Sequence, residues 1–439
     1  MSKIDRRDFI NGSLMVFGSS VMPIGSSMGQ NLEDLSNSSY PPALNGLRGS
    51  HPGSNESAHK KAWTGNNDWG KRNLLDEEYD LVVVGGGISG LASAYFFTQQ
   101  HGSDKKILII ENHDDFGGHA RRNEHIVDGK LILGEGGSES FEYPSGFSNV
   151  VLKLLDELGV DMEAFKSAYD RSFFKKHGLE AVTYFNERYF GEDKIVRHPF
   201  CDYPGFIEGL LRPKIDINEA VEQVPLDIEG KRQLLKLLMS DPTTLGVEKS
   251  QWRRYVREVS YFDYMRDTLG VTDPLIHRMA RQSIVDYGGV PDVMTINGAL
   301  EGGALGMNAA TWKEVLDDGA YQNYIDRKDG TYAVEEPFIE HYPDGNATIA
   351  RMLVKKLIPN VGKGDNVEEI ILSKFNYHQL DKKNSNVRLR LNSTAINIEH
   401  ETDASNSDYV YTDYIKNEIP YRAVSYTHLR AHETKANLV

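Results

Sequence analysis

Residues 79–122 read YDLVVVGGGISGLASAYFFTQQHGSDKKILIIENHDDFGGHARR, and this stretch decides the fold. Asp80–Val84 is a short valine-rich run, the composition of a strand buried on both faces of a parallel sheet. Gly85, Gly87 and Gly90 follow in the spacing G-x-G-x-x-G. Leu91–Gln99 reads as a helix, and a second apolar run, Ile107–Ile110, ends in Glu111. Strand, glycine turn, helix, strand and acid are the parts of a dinucleotide-binding βαβ unit, in its order. Gly85 turns the chain off the strand. Gly87 has no side chain, so the backbone can approach a pyrophosphate, and Gly90 lets the helix pack close to the strand. Ser89 sits in the first helical turn, whose unpaired N–H groups and positive dipole end favour phosphate. Glu111 stands about 20 residues beyond Gly90, where a carboxylate can accept hydrogen bonds from ribose hydroxyls.

NAD and FAD share this logic, and the residues after Glu111 distinguish them. Five residues on comes Gly117-Gly118, followed by His119, Ala120, Arg121 and Arg122. Further along, Gly134-Glu135-Gly136-Gly137-Ser138 makes another glycine-rich turn. A glycine turn, an acid, five residues and Gly-Gly together resemble the flavin-dependent amine oxidase superfamily. The resemblance implies FAD as cofactor, with Gly117 and Gly118 beside its pyrophosphate and ribityl chain, and Gly136, Gly137 and Ser138 near the isoalloxazine. A basic residue usually follows the Gly-Gly directly. Here His119 stands there, with Arg121 and Arg122 beyond it as further candidates for the phosphate.

Composition bounds the rest. The 439 residues allow two or three domains, and no apolar run approaches the length of a membrane-spanning helix. A formal net charge of −15 argues against non-specific nucleic-acid binding and permits a cationic substrate. The single cysteine, Cys201, excludes an intramolecular disulfide, a covalent c-type haem and a thiolate-built zinc site. No metal site is expected.

At the N-terminus, Arg6-Arg7-Asp8-Phe9-Ile10 precedes a modestly apolar segment, Leu14–Ile24, with small residues near Ser27 and Gly29. Residues 1–30 thus resemble a twin-arginine signal, which places the folded mature protein in the periplasm. Residues 31–75 mix Asn, Ser, Gly and Pro with aromatic and charged residues, including His51, His59 and Trp63, and read as an ordered arm over the domain. The arm resembles that of bacterial spermidine dehydrogenases. A non-covalent haem near His51 or His59 has no motif behind it.

Residues 76–150 form the first part of the FAD-binding domain. Val150, Val151, Leu154, Leu155 and Leu158 have helical spacing before Gly159. Residues 151–340 depart from the βαβ rhythm and form mainly an α+β substrate domain. Glu180–Phe190 reads as a strand pair around Asn186-Glu187, and Ser260 as a helix cap with Asp263 at the third position. Tyr255, Tyr261, Tyr264 and Tyr287 are candidates for holding an alkylammonium chain by cation–π contact. Residues 341–422 return to the FAD-binding domain. A turn at Pro343-Asp344-Gly345 leads into a helix carrying Ile349, Leu353 and Leu357, and VRLRLNSTAINI (Val387–Ile398) is a strand with a turn at Asn392-Ser393. By the resemblance, Ala395 touches the adenine end. Ala423–Thr434 reads AVSYTHLRAHET and resembles translated sequencing adapter. Residues 423–439 are therefore expected to be a non-native tail, and the sheet to lack its last strand.

The expected architecture is α/β: a FAD-binding Rossmann-like βαβ domain interleaved with an α+β substrate domain. The resemblance to the spermidine dehydrogenases, over most of residues 40–400, implies FAD-dependent dehydrogenation of a small-molecule amine of the polyamine class. The electron acceptor, the catalytic side chains and homo-oligomerisation are left open. So are three other readings: oxidation of an apolar substrate by the same flavin chemistry, an inactive dinucleotide-binding fragment, and an NAD-dependent dehydrogenase.

Overall fold

The computed structural model describes residues 40–44, 53–197 and 215–430, apart from residues 66, 143, 145–146, 169, 171, 181, 285–289, 309–310 and 317–338. The expected signal at 1–30, His51, Cys201, Tyr287 and residues 431–439 lie outside the described residues. The chain divides into two compact units: residues 1–165 with 339–439, and residues 166–338.

Besides a two-residue pair, Phe141–Glu142 with Ile339–Glu340, the described part of the discontinuous unit has the strands β1 (Asn73–Tyr79), β2 (Leu81–Val84), β3 (Ile107–Ile110), β4 (Asn123–Val127), β5 (Lys130–Gly134), β6 (Val387–Arg390), β7 (Ser393–His400), β8 (Val410–Lys416), β9 (Ile419–Ser425) and β10 (His428–Arg430). One sheet has the order β6-β3-β2-β10 and is parallel throughout. Leu81–Val83 and Ile107–Ile110 are buried to within 1% of complete, as their unbroken apolar runs predict. Helix α1 (Ile88–His101) crosses between β2 and β3 and buries Gly90, Leu91, Ala94 and Tyr95. Asp80 sets the register: its carboxylate accepts from Lys106 N at 2.8 Å and from Lys105 Nζ at 3.0 Å. The other sheet runs β1-β9-β8-β7, with β1 parallel to β9 and the remaining pairs antiparallel.

Strands continue past residue 400, where none was read from the sequence. Three strands follow residue 400, and β10 lies parallel to β2, Leu429 opposite Val83. Ala423 and Ser425 are fully buried in β9, and β10 follows after two connecting residues. The sequence hid this because the β8–β9 turn is Asn417-Glu418. Both residues have positive φ, +50° and +65°, a conformation usually signalled by Asn-Gly.

Between the sheets, Asp381 accepts from Arg388 Nε at 2.7 Å and Arg390 Nε at 2.8 Å. Burial pushes the Asp381 carboxyl up, but its bonds to Arg390 and Arg388 win and hold it below the ordinary value of 3.8. A depressed carboxyl stabilises the fold above its unfolded pKa and loses that contribution as pH falls through the folded value. Asp381→Asn is therefore expected to cost stability at neutral pH, with the deficit against wild type shrinking below about pH 4. Thermal unfolding from pH 7 to 3 measures it.

In the same unit, α2 (Asn149–Leu158) begins at a Ser148 cap and ends at left-handed Gly159. Its core face is Leu154, Leu155 and Leu158, while Val150 and Val151 are exposed. Helix α3 (Ala347–Leu357) buries every residue from Ala347 to Val354.

Residues 166–338 pack helices Ile217–Gln223, Ile228–Leu238, Trp252–Glu258, Pro274–Gln282 and Ile296–Glu301 around Tyr261, Tyr264 and Trp312. Ser260 caps as expected, accepting from Asp263 N at 3.0 Å. The strand pair around Asn186-Glu187 is corrected: Thr183–Phe185 pairs instead with Lys194–Val196. Asn186 caps the one-turn helix Glu187–Phe190, its side chain accepting from Tyr189 N at 3.2 Å, so the local cap competes with a hairpin. Tyr261 and Tyr264 are fully buried core residues. The Tyr264 hydroxyl sits 2.7 Å from Thr244 Oγ1, so neither ring is presented to a substrate.

Candidate dinucleotide site

The site lies at the carboxyl ends of β2 and β3. Gly85 N donates to Ile110 O at 2.8 Å, fixing the turn to the end of β3, and Gly85 takes φ +110°. At Gly90 a Cβ would stand 2.0 Å from Gly85 O, so only glycine allows α1 this close to the turn. Gly87 is the extended residue before the helix, and Ser89 is exposed in its first turn.

Glu111 is 6% exposed. Its Oε2 accepts from Gly86 N at 2.7 Å and its Oε1 from His113 N at 2.8 Å, so the carboxylate is oriented by two main-chain donors at the end of β3. The second glycine turn lies against the first. Gly117 N donates to Gly86 O at 2.8 Å, and Gly87 and Gly117 form a parallel bridge. A Cβ on Gly87 would face Gly117 O and the Gly118 Cα, each at 3.9 Å, so the backbones of the two turns face each other at Gly87. Gly117 has φ +101° and no room for a Cβ, which would fall 2.4 Å from Ala120 O.

The third turn is held from behind. Gly137 N donates to His119 O at 2.8 Å, and a Cβ on Gly136 would meet both His119 O and Arg121 O at 2.6 Å. The Asn346 side chain donates to Ser138 Oγ at 2.9 Å and Ser140 O at 2.8 Å, while Asn346 N donates to Ser138 O at 3.0 Å. Asn346 therefore ties the α3 entry to this turn, a link that the Pro343-Asp344-Gly345 turn signal alone did not reveal. Ala395 lies on β7, two residues after Ser393, whose N–H donates to Glu111 O at 2.9 Å. The structure thus gathers Gly85, Gly87, Ser89, Gly90, Glu111, Gly117, Gly118, Gly136, Gly137, Ser138 and Ala395 around adjoining turns.

The basic residues separate. His119 is exposed and Arg121 half-buried. Arg122 is corrected: it is 3% exposed, and its guanidinium is taken by an internal cluster. Its Nε and Nη2 donate to Glu124 Oε1 at 2.9 and 2.5 Å, and Nη1 reaches Asp344 at 3.4 Å and also Ile371 O. Burial disfavours its charge, but Glu124 and then Asp344 more than offset this and raise its pKa. The sequence gives adjacent arginines no distinguishing mark. Arg122 directly precedes β4 and lies two residues before Glu124, the spacing at which extended chain turns two side chains to one side.

A parallel sheet, a glycine turn opening the crossover helix and an oriented acid at the second strand define a Rossmann-like dinucleotide-binding domain. Residues 83–158 match the NAD(P)-binding Rossmann-like domain family. The oxidoreductase PigB of a Serratia species is 35% identical over 92 residues, 20% of this chain and 12% of PigB. Among solved structures, a protein of Exiguobacterium sp. 255-15 assigned as a protoporphyrinogen oxidase aligns over 82% of this chain and 60% of its own, at 16% identity and a TM-score of 0.39. Putrescine oxidase bound to putrescine aligns over 82% of this chain and 58% of its own, at 14% identity and a TM-score of 0.33. At those scores neither structure adds an argument. The chain spans about three-fifths of the length of these two structures.

Proposed function

We propose that this chain is a FAD-dependent oxidoreductase that dehydrogenates an amine, of the polyamine class that includes spermidine. The observation that carries the flavin is the pairing of the two turns: Gly117 bonded to Gly86, with Gly87 facing Gly117 and Gly118. An NAD site needs only the first turn and the acid, whereas a second glycine turn beside them suits the longer path of FAD. Gly85–Ser89 and the α1 N-terminus would hold the pyrophosphate, Glu111 a ribose, and Gly117-Gly118 and Gly136–Ser138 the continuation of the cofactor. Bound there, FAD supplies a hydride acceptor for a carbon–hydrogen bond next to an amine nitrogen. The residues of this chain place and enclose the reacting parts and require no nucleophile or metal. The amine rests on the resemblance of the arm and glycine core to spermidine dehydrogenases and on the net charge of −15. Export folded through a twin-arginine signal belongs to the same proposal, because a non-covalent cofactor is bound before the membrane is crossed.

Purified protein is expected to carry a flavin absorption spectrum that spermidine bleaches without oxygen. A flavin bleached by no amine overturns the substrate, and a protein that takes up NAD but no FAD overturns the cofactor. Glu111→Ala is expected to weaken FAD roughly 10–100-fold, the worth of a charged hydrogen bond to a hydroxyl. Titration of the apo-protein followed by flavin fluorescence reads it.

A further inference from the structure

The arm touches the dinucleotide site at two separate places. At the first, Tyr40 is 6% exposed and stands edge-on to Tyr377 at 5.4 Å, with its hydroxyl 3.4 Å from the Glu124 carboxylate that binds Arg122. Tyr377 in turn donates to Asp115 at 2.5 Å, and Phe116 N donates to the same Asp115 oxygen at 2.9 Å, immediately before Gly117. Buried Pro42 lines a small cleft with Asp115, Arg121 and Arg122. At the second, Asn112, the residue after Glu111, donates from Nδ2 to Ser54 O at 2.8 Å and accepts at Oδ1 from Thr394 Oγ1 at 2.5 Å. Thr394 precedes Ala395. From the exposed helix Glu56–Thr64, Lys61 Nζ reaches Ile396 O at 3.2 Å.

We infer that the arm is a two-point clamp on the cofactor site, with Asn112 its positioning residue at the adenosine end and Tyr40 its anchor under the second glycine turn. This rests on the FAD reading above. The turns around Glu111 and Gly117 are loops, and loops hold a ligand well only when their own conformations are already fixed. Asn112 fixes the first by joining arm, turn and β7 through one amide, a carbonyl accepting its N–H and a hydroxyl donating to its oxygen. The amide supplies donor and acceptor on two separate atoms, so both partners are held at once. The clamp has a reciprocal consequence. If the arm raises affinity for the cofactor, the cofactor must hold down the arm by the same factor.

Asn112→Asp keeps the shape but turns a carboxylate oxygen toward Ser54 O, replacing a bond by a repulsion. It is expected to weaken FAD about tenfold. Lys61→Met, an exposed change that leaves the turn intact, is expected to weaken it about threefold, the lower end for a surface-side contact. In wild type, saturating FAD should slow tryptic cleavage after Lys60 and Lys61, read by mass spectrometry, and Asn112→Asp should abolish that protection. A role confined to fold stability would lower the unfolding temperature of the apo-protein and leave the protection by FAD intact. The inference is overturned if both variants bind FAD within twofold of wild type and cleavage ignores FAD. A wild-type chain that takes up no FAD overturns the functional reading first, and this inference with it.

Discussion

Gly90→Ala is expected to remove most of the stability of the dinucleotide-binding unit, not to trim its affinity. Replacing glycine by alanine inside a helix ordinarily gains about 1 kcal/mol, so propensity alone predicts stabilisation. Geometry reverses the sign. The added Cβ would lie 2.0 Å from Gly85 O, 3.1 Å from Gly85 C and 3.3 Å from Val83 Cγ1. The first two are main-chain atoms, and Gly85 is pinned through its N–H to Ile110 O. Only a shift of α1 off the sheet relieves the overlap, and that shift unpacks Leu91 and Ala94, both fully buried. The cost should be about 3 kcal/mol or more, at or beyond the upper end for overpacking. Urea unfolding with an unchanged slope and a midpoint lowered to match is the expected result. A midpoint at or above that of wild type would mean that the helix does not sit where the structure puts it.

Arg122→Met should be nearly as damaging, for an electrostatic reason. Glu124 and Asp344 are 5% and 0% exposed, and this change strips the guanidinium from both. Leaving buried charges uncompensated costs about 3–5 kcal/mol, whereas removing charge from both sides can be close to neutral. Arg122→Met with Glu124→Leu should therefore recover part of the loss. Chemical unfolding of wild type and of the single and double variants measures both. Were Arg122 instead a phosphate ligand at the surface, the variant would lose cofactor affinity and keep its stability.

The glycine core was legible because each part of it answers a local demand. Val82 and Ile109 sit in unbroken apolar runs, Gly90 must admit a backbone, and Glu111 ends a strand. Asn346 and Arg122 were not legible in their roles, since their partners lie some 200 residues away and neither residue type announces a distant partner. The strands after residue 400 escaped for a different reason. Their hairpin uses Asn417-Glu418, a turn that the fold imposes and that composition does not signal. Tyr261 and Tyr264 show the opposite failure. An aromatic cluster suggests a binding surface, but rings that size fill a core just as well, and here they do.

The pairing of β1 with β9 has a consequence for how the chain reaches this structure. Asn73 lies beside Tyr421 and Tyr79 beside Ser425, so one sheet joins segments from opposite ends of the sequence. At synthesis rates of about 5–20 residues per second, β1 leaves the ribosome roughly 20–70 s before its partner exists. For that interval the amides and carbonyls of β1 lack their strand partner, beside apolar strands that are not yet covered. Pairing across so long a separation in sequence makes folding slow, because the entropy of closing the loop is spent before the contact forms. The dinucleotide site is written almost entirely into the first third of the chain, yet the strands that flank its two central ones, β6 and β10, come from residues 387–430.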